Sequence, residues 1–125
     1  MYVYMEQKPL PSGIPGIAHA TLAGGDHGLK NISVWRQQVM PGSATPPHLH
    51  DCEEVVLCSA GEGELHIAGK TERFGAGQTV VIPANADHQI ISIGQEALEF
   101  VAVFSTSPVV AHFPDGEQIM LPWST

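Results

Sequence analysis

From Asn31 to Phe104 apolar and polar residues alternate in short bursts, each cut off by glycine or proline. The run Asn31–Met40 (NISVWRQQVM) mixes β-branched, aromatic and polar side chains and stops at Pro41-Gly42, as a strand does on entering a turn. The same grammar recurs in Glu54–Ser59, closed by Ala60-Gly61-Glu62-Gly63, in Glu64–Ala68, closed by Gly69-Lys70, and in Thr71–Phe74, closed by Gly75-Ala76-Gly77. Thr79–Ile82 is stopped by Pro83, His88–Ile93 turns at Gly94-Gln95, and Leu98–Phe104 completes the set. No segment sustains a helical period. Short strands joined by such short connections predict antiparallel order and an all-β sandwich or barrel of the jelly-roll kind, with little or no helix. Leu98–Phe104 is apolar on both faces apart from Glu99, which predicts a central position.

The two ends read differently. Met1–Gly28 carries Pro9, Pro11, Pro15 and Gly24-Gly25 with little alternation, so residues 1–30 are expected to form an irregular arm with one or two short strands, at a sheet edge or a subunit contact. Residues 31–125 then form one barrel, with a C-terminal extension from about residue 105 that includes Pro108, the Pro114-Asp115-Gly116 turn and the apolar finish Ile119–Trp123. Trp123 is expected to pack against the barrel or a neighbour.

Composition narrows the function classes. A chain of 125 residues supports one core, and thirteen Gly with ten Pro fit many turns. A net charge of −8 has the wrong sign for phosphate backbones or anionic lipid surfaces, so neither nucleic acid nor membrane is an expected partner. No apolar run reaches the ~18 residues that cross a bilayer, and Met1–Gly13 lacks the pattern of an export signal. The cytoplasm is therefore the expected compartment. Cys52 and Cys58 form no C-x-x-C motif and read as reduced thiols.

The chemistry concentrates in Gly42–Glu54. In an extended chain His48 and His50 share one face and can offer two imidazoles to one ion. Glu54 keeps the same parity if the strand continues, or returns on the next strand if Asp51-Cys52-Glu53 turns; either path carries a carboxylate inward. His88, opening a strand just after Pro83-Ala84-Asn85, is the best fourth donor. Cys52 also keeps the parity of the two histidines, and its thiolate would favour Zn²⁺ or Cu⁺, but it falls in the expected turn. Asp51, Glu53 and Asp87 read as rim groups, and His19, His27, His66 and His112 as solvent-facing or incidentally hydrogen-bonded.

Gly42-x5-His48-x-His50-x3-Glu54-x6-Gly61 resembles the first signature of the cupin superfamily at every defined position. Gly77-x5-Pro83-x-Asn85-x2-His88-x3-Ser92 resembles the second, with Asn85 where glycine is usual and Ser92 where asparagine is usual. Chance matches to the first motif alone are expected at on the order of 10⁻⁴ from this chain's own composition. The resemblance implies an antiparallel jelly-roll cupin barrel with one divalent transition metal held by His48, His50, Glu54 and His88. Fe, Mn, Ni, Zn, Co and Cu all accept such donors. It also implies a small-molecule substrate or ligand and a homodimer, for which Tyr2–Met5 of the arm is a candidate contact. The leading functional expectation is a metal-dependent enzyme of dioxygenase type acting on a small polar or anionic metabolite. A metal-dependent isomerase or lyase, and a non-catalytic sugar- or small-molecule-binding module, are the alternatives. A substrate pocket would take either Arg36 with Gln38 or Trp35 with Gln37 from the strand before the first motif, depending on register. Arg36 inside would call for a carboxylate-bearing substrate.

Overall fold

The alternation along the chain becomes the two faces of sheets in a computed structural model, which describes residues 1–125. Its strands are β1 (Leu10–Pro11), β2 (Ile17–Ala23), β3 (Ser33–Val39), β4 (Glu54–Ala60), β5 (Glu62–Ile67), β6 (Lys70–Gly75), β7 (Thr79–Ile82), β8 (His88–Ser92), β9 (Leu98–Phe104), β10 (Ala111–His112) and β11 (Gln118–Ile119). A single 3₁₀ turn at Gly25–His27 is the one helical element. No helix is long and apolar enough to cross a membrane.

Six strands form an antiparallel sheet in the order β1-β2-β3-β9-β4-β7, and β6-β5-β8 form a second sheet. The segment Ser43–His48 extends the second sheet along β8: Thr45 N–H donates to Ile90 O, and His48 and His88 exchange backbone bonds in both directions. Leu49 continues onto β10 through reciprocal bonds with His112, and β10 pairs with β11. From β3 to β9 the chain passes repeatedly between the two sheets, the winding of an antiparallel jelly roll.

Strand parity fills the space between the sheets. Trp35, Val39, Val56, Cys58, Val80, Ile82, Leu98, Phe100, Ala102 and Phe104 from the larger sheet meet Leu65, Phe74 and Ile90 from the smaller one. β9 lies between β3 and β4, so its apolar character on both faces matches an interior strand.

Gly61 turns β4 into β5 at φ 80°. A Cβ there would stand 2.5 Å from Ala97 O, so both the backbone angle and the close approach demand glycine. Asn85 occupies a left-handed position at φ 64°, which asparagine tolerates better than other side-chain-bearing residues. The departure from glycine in the second signature therefore preserves the turn.

The amino-terminal segment is more ordered than its composition suggests. Ile17–Ala23 is a full strand, paired with β3 from Ile17↔Val39 to Ala23↔Val34. Its inward positions Ile17 and His19 are buried, and so is Ala20 on the opposite face, a mixture that hides the alternation. Met1, Tyr2, Val3 and Met5 are 91, 99, 83 and 86% exposed.

Candidate metal centre

The two-way backbone bond between His48 and His88 sets these residues face to face across adjoining strands, with ring centroids 4.3 Å apart. His50 follows two residues later on the same side, and its carbonyl accepts a 2.7 Å bond from Asn85 N–H, which ties the turn before His88 to the first histidine pair. Glu54 opens β4, where it lies between Phe104 on β9 and Ile82 on β7. It therefore reaches the centre by the second path considered above, on a new strand after the 51–53 turn.

The ligand-competent nitrogens of His48, His50 and His88 all lie within 4.8 Å of one another. Glu54 Oε1 is 3.5 Å from His88 Nε2 and 3.7 Å from His50 Nε2. His50, Glu54 and His88 are buried, and His48 is partly exposed toward the adjoining pocket.

Backbone carbonyls fix which nitrogen of each ring is available. His48 Nδ1 lies 2.6 Å from Pro46 O, His50 Nδ1 2.7 Å from Val110 O, and His88 Nδ1 2.9 Å from Ala86 O. A carbonyl oxygen only accepts, so each Nδ1 carries the proton; in the neutral ring Nε2 then keeps its lone pair. Burial holds the pKa of His48 down to about 4 and lowers that of His50, so both are neutral near pH 7. For His88 burial acts in the same direction, but the neighbouring Glu54 carboxylate outweighs it and raises the pKa.

This set fits a divalent cation. Lone pairs and a carboxylate oxygen that face one another repel unless a cation, or a proton on His88 Nε2, lies between them. Glu54 Oε1 and His88 Nε2 are both buried without a hydrogen-bond partner, an expensive arrangement unless something else binds them. Three imidazoles and one carboxylate are donors suited to Zn, Fe, Mn, Co, Ni or Cu, and the carbonyls on Nδ1 supply the outer partners that orient metal-binding histidines.

Other candidate residues lie elsewhere. Trp35 and Gln37 face inward and line a pocket beside His48 and His50. Arg36 and Gln38 instead project from the outer face of β3, where Arg36 Nε pairs with Glu6 at 2.7 Å and Gln38 with Glu99. This corrects the alternative that placed Arg36 and Gln38 in a substrate pocket: Ser33 and Val39, fully buried at the two ends of β3, fix the opposite parity. Cys52 joins the apolar core rather than the histidine group, and burial raises the pKa of both free thiols. Asp51, Glu53 and Asp87 are exposed, as expected of rim groups. Ser92 is fully buried and its Oγ finds no partner.

Three contributions escape a reading centred on the motifs. His19, expected to face solvent or to be incidentally hydrogen-bonded, is buried beside the pocket wall and bonded to Thr21 Oγ1 at 2.7 Å and Gln37 Nε2 at 3.0 Å. Trp123 stacks on it at 4.0 Å and meets Trp35 edge to face at 5.4 Å. Ile119, Leu121 and Trp123 line the pocket together with Ile14, Ile17 and Pro46. The signal for the first three was the period-2 pattern Ile119-x-Leu121-x-Trp123. The pocket is a narrow cleft with a cavity volume of about 40 Å³, open at its mouth, and Gln37 and Thr45 add uncharged polar groups to its lining.

Residues 5–122 match the family described as auxin binding protein. Auxin-binding protein 1 of Arabidopsis thaliana is 39% identical over 107 residues, covering 78% of this chain and 54% of that protein; the chain thus spans about half the length of this relative. Among solved structures, the polyketide cyclase RemF from Streptomyces resistomycificus aligns with a TM-score of 0.73 at 21% identity, covering 97% of this chain and 87% of that one. A cupin 2 conserved barrel domain protein from Salinispora arenicola aligns with a TM-score of 0.68 at 23% identity, covering 84% and 92%. These two likenesses identify the fold as the cupin jelly roll.

Proposed function

The chain belongs to the auxin-binding protein family, and on that premise we propose that it binds a small carboxylic acid with an aromatic or apolar body, anchored by a divalent metal. His48, His50, Glu54 and His88 would hold the ion. When bound, it would supply a Lewis-acidic positive charge to an incoming carboxylate. Glu54 neutralises one of two positive charges, so an anionic ligand completes the balance. The rest of the pocket is suited to the body of such a ligand: Trp35, Trp123, Ile14, Ile17, Ile119 and Leu121 give its lining apolar surface.

The observation that carries this reading is the junction of the two surfaces. His48 and His50 line the same pocket as both tryptophans, and that lining contains no Asp, Glu, Lys or Arg. A carboxylate entering there meets the metal-binding edge and no competing charge. The lack of a separate acid or base favours capture over turnover.

Titration of Zn²⁺-loaded protein with indole-3-acetic acid, followed by calorimetry and tryptophan fluorescence, tests the proposal. Saturable binding is expected, with loss on chelation and in His48→Ala, and little binding of 3-methylindole, which lacks the carboxylate. Equal binding with and without metal would overturn it.

The same donor set carries a second reading. Four protein donors leave up to two positions on a six-coordinate ion, which suits a dioxygenase, isomerase or lyase acting on a small polar or anionic metabolite. Substrate-dependent O₂ uptake or isomer formation that disappears in His48→Ala would favour it. The identity of the native ion follows from which metal co-purifies. The buried free thiols support a cytoplasmic setting, and the exposed apolar arm supports a homodimer.

A further inference from the structure

Residues 119–125 are built as a strap. Ile119, Leu121, Trp123 and Thr125 turn inward while Met120, Pro122 and Ser124 are exposed. The strap is held by its last residue. Thr125 O accepts from Gly25 N–H at 3.2 Å, Ser33 Oγ at 3.0 Å and Ser107 Oγ at 2.7 Å. Gly24 provides the clearance, since a Cβ there would stand 2.3 Å from that oxygen. Thr125 Oγ1 accepts from Val109 N–H at 2.7 Å and returns a longer 3.4 Å bond to Val109 O. Val109 is buried, and the carbonyl of the next residue, Val110, accepts the Nδ1 proton of His50.

We propose that Thr125 is a positioning residue for the metal centre: by pinning Val109 it holds the Val110 carbonyl where His50 must donate, and so keeps His50 Nε2 aimed at the ion. This rests on the metal-binding reading of the four-residue cluster. The wall that closes the pocket and the group that orients one ligand are thereby fastened at a single point. Metal binding and closure of the strap favour each other, as linkage requires.

The test uses two readouts on the full chain. Nitrogen NMR of the histidine rings, recorded without metal, should show His50 protonated at Nδ1 in the wild type, a mixture of tautomers in Thr125→Val, and recovery in Thr125→Ser, with His48 and His88 unchanged. Zn²⁺ affinity from chelator competition should fall about tenfold in Thr125→Val and recover in Thr125→Ser. Ser107→Ala, which loosens only the main-chain end of the latch, should shift both readouts in the same direction by less, and it decides the matter if Thr125→Val does not fold. An unchanged His50 tautomer with unchanged Zn²⁺ affinity in the folded variants overturns the proposal. If the wild type fails to bind Zn²⁺ while the tautomer still follows Thr125, the metal reading fails and the positioning of His50 stands.

Discussion

Glu54 and His19 show how single side chains here trade stability for the site. Glu54 Oε1 is buried without a hydrogen-bond partner, so a carboxylate at this position lowers the stability of the protein until a cation pairs with it. Glu54→Gln is accordingly expected to match or exceed the wild type in Tm when both are stripped of metal. With Zn²⁺ at a hundredfold excess over Kd the wild type should gain about 2.7 kcal/mol and the variant far less; thermal melts with and without metal check this. His19 sets a different trade. Burial holds its pKa down to about 4, whereas in the unfolded chain it titrates near 6.5. As pH falls from about 6.5 to about 4 the unfolded chain takes up a proton that the folded chain refuses, so stability is lost across that window. Below about 4 this contribution stays lost. Denaturation curves of wild type and His19→Gln over that range should diverge accordingly, and parallel curves would remove His19 as the cause.

At the scale of elements, the turn before β8 and the strap carry the site from outside the histidine motif. Asn85 combines a left-handed backbone with a bond to the His50 carbonyl. Asn85→Gly is expected to leave stability and metal affinity within a few tenths of a kcal/mol, while Asn85→Val should cost about 1–3 kcal/mol through backbone strain and weaken Zn²⁺ binding as His50 loosens. Chemical denaturation with metal titration reads both. The strands from β3 to β9 were legible because turn residues punctuate them and one face stays apolar. The register of β3 was not: Trp35 with Gln37 and Arg36 with Gln38 each pair a bulky residue with an amide, so composition does not say which is inside. Burial of Ser33 and Val39 decides it. β2 stayed hidden because histidine fills an inward position and alanine a buried one on the other face, where a strand usually shows branched or aromatic residues.

The molecule as a whole presents an apolar row on the outer face of its larger sheet. Val34 pairs with Val103, Val103 with Val55, and Val55 with Val81, and Val81 is 69% exposed. Together with the uncovered arm, this face suits association of two copies. Light scattering after size exclusion should show a dimer that dissociates in Val81→Lys, and a wild-type monomer at high concentration would contradict it. The three clustered histidines and the adjacent Glu54 were legible because Glu54 and His88 open strands and His48 and His50 share one face of an extended segment, so sequence spacing carries over into space. The pocket was less legible, since its outer wall comes from residues far along the chain whose pattern is short and carries no motif. Metal binding at this centre requires the four donors to share one ion. X-ray absorption of protein loaded with one equivalent of Zn²⁺ tests this most directly: it predicts three imidazole nitrogens at about 2.0–2.1 Å and a carboxylate oxygen at about 2.0–2.2 Å, with the imidazole signal reduced in His88→Ala. Sulfur scattering near 2.3 Å, or a spectrum unchanged by that substitution, would contradict it.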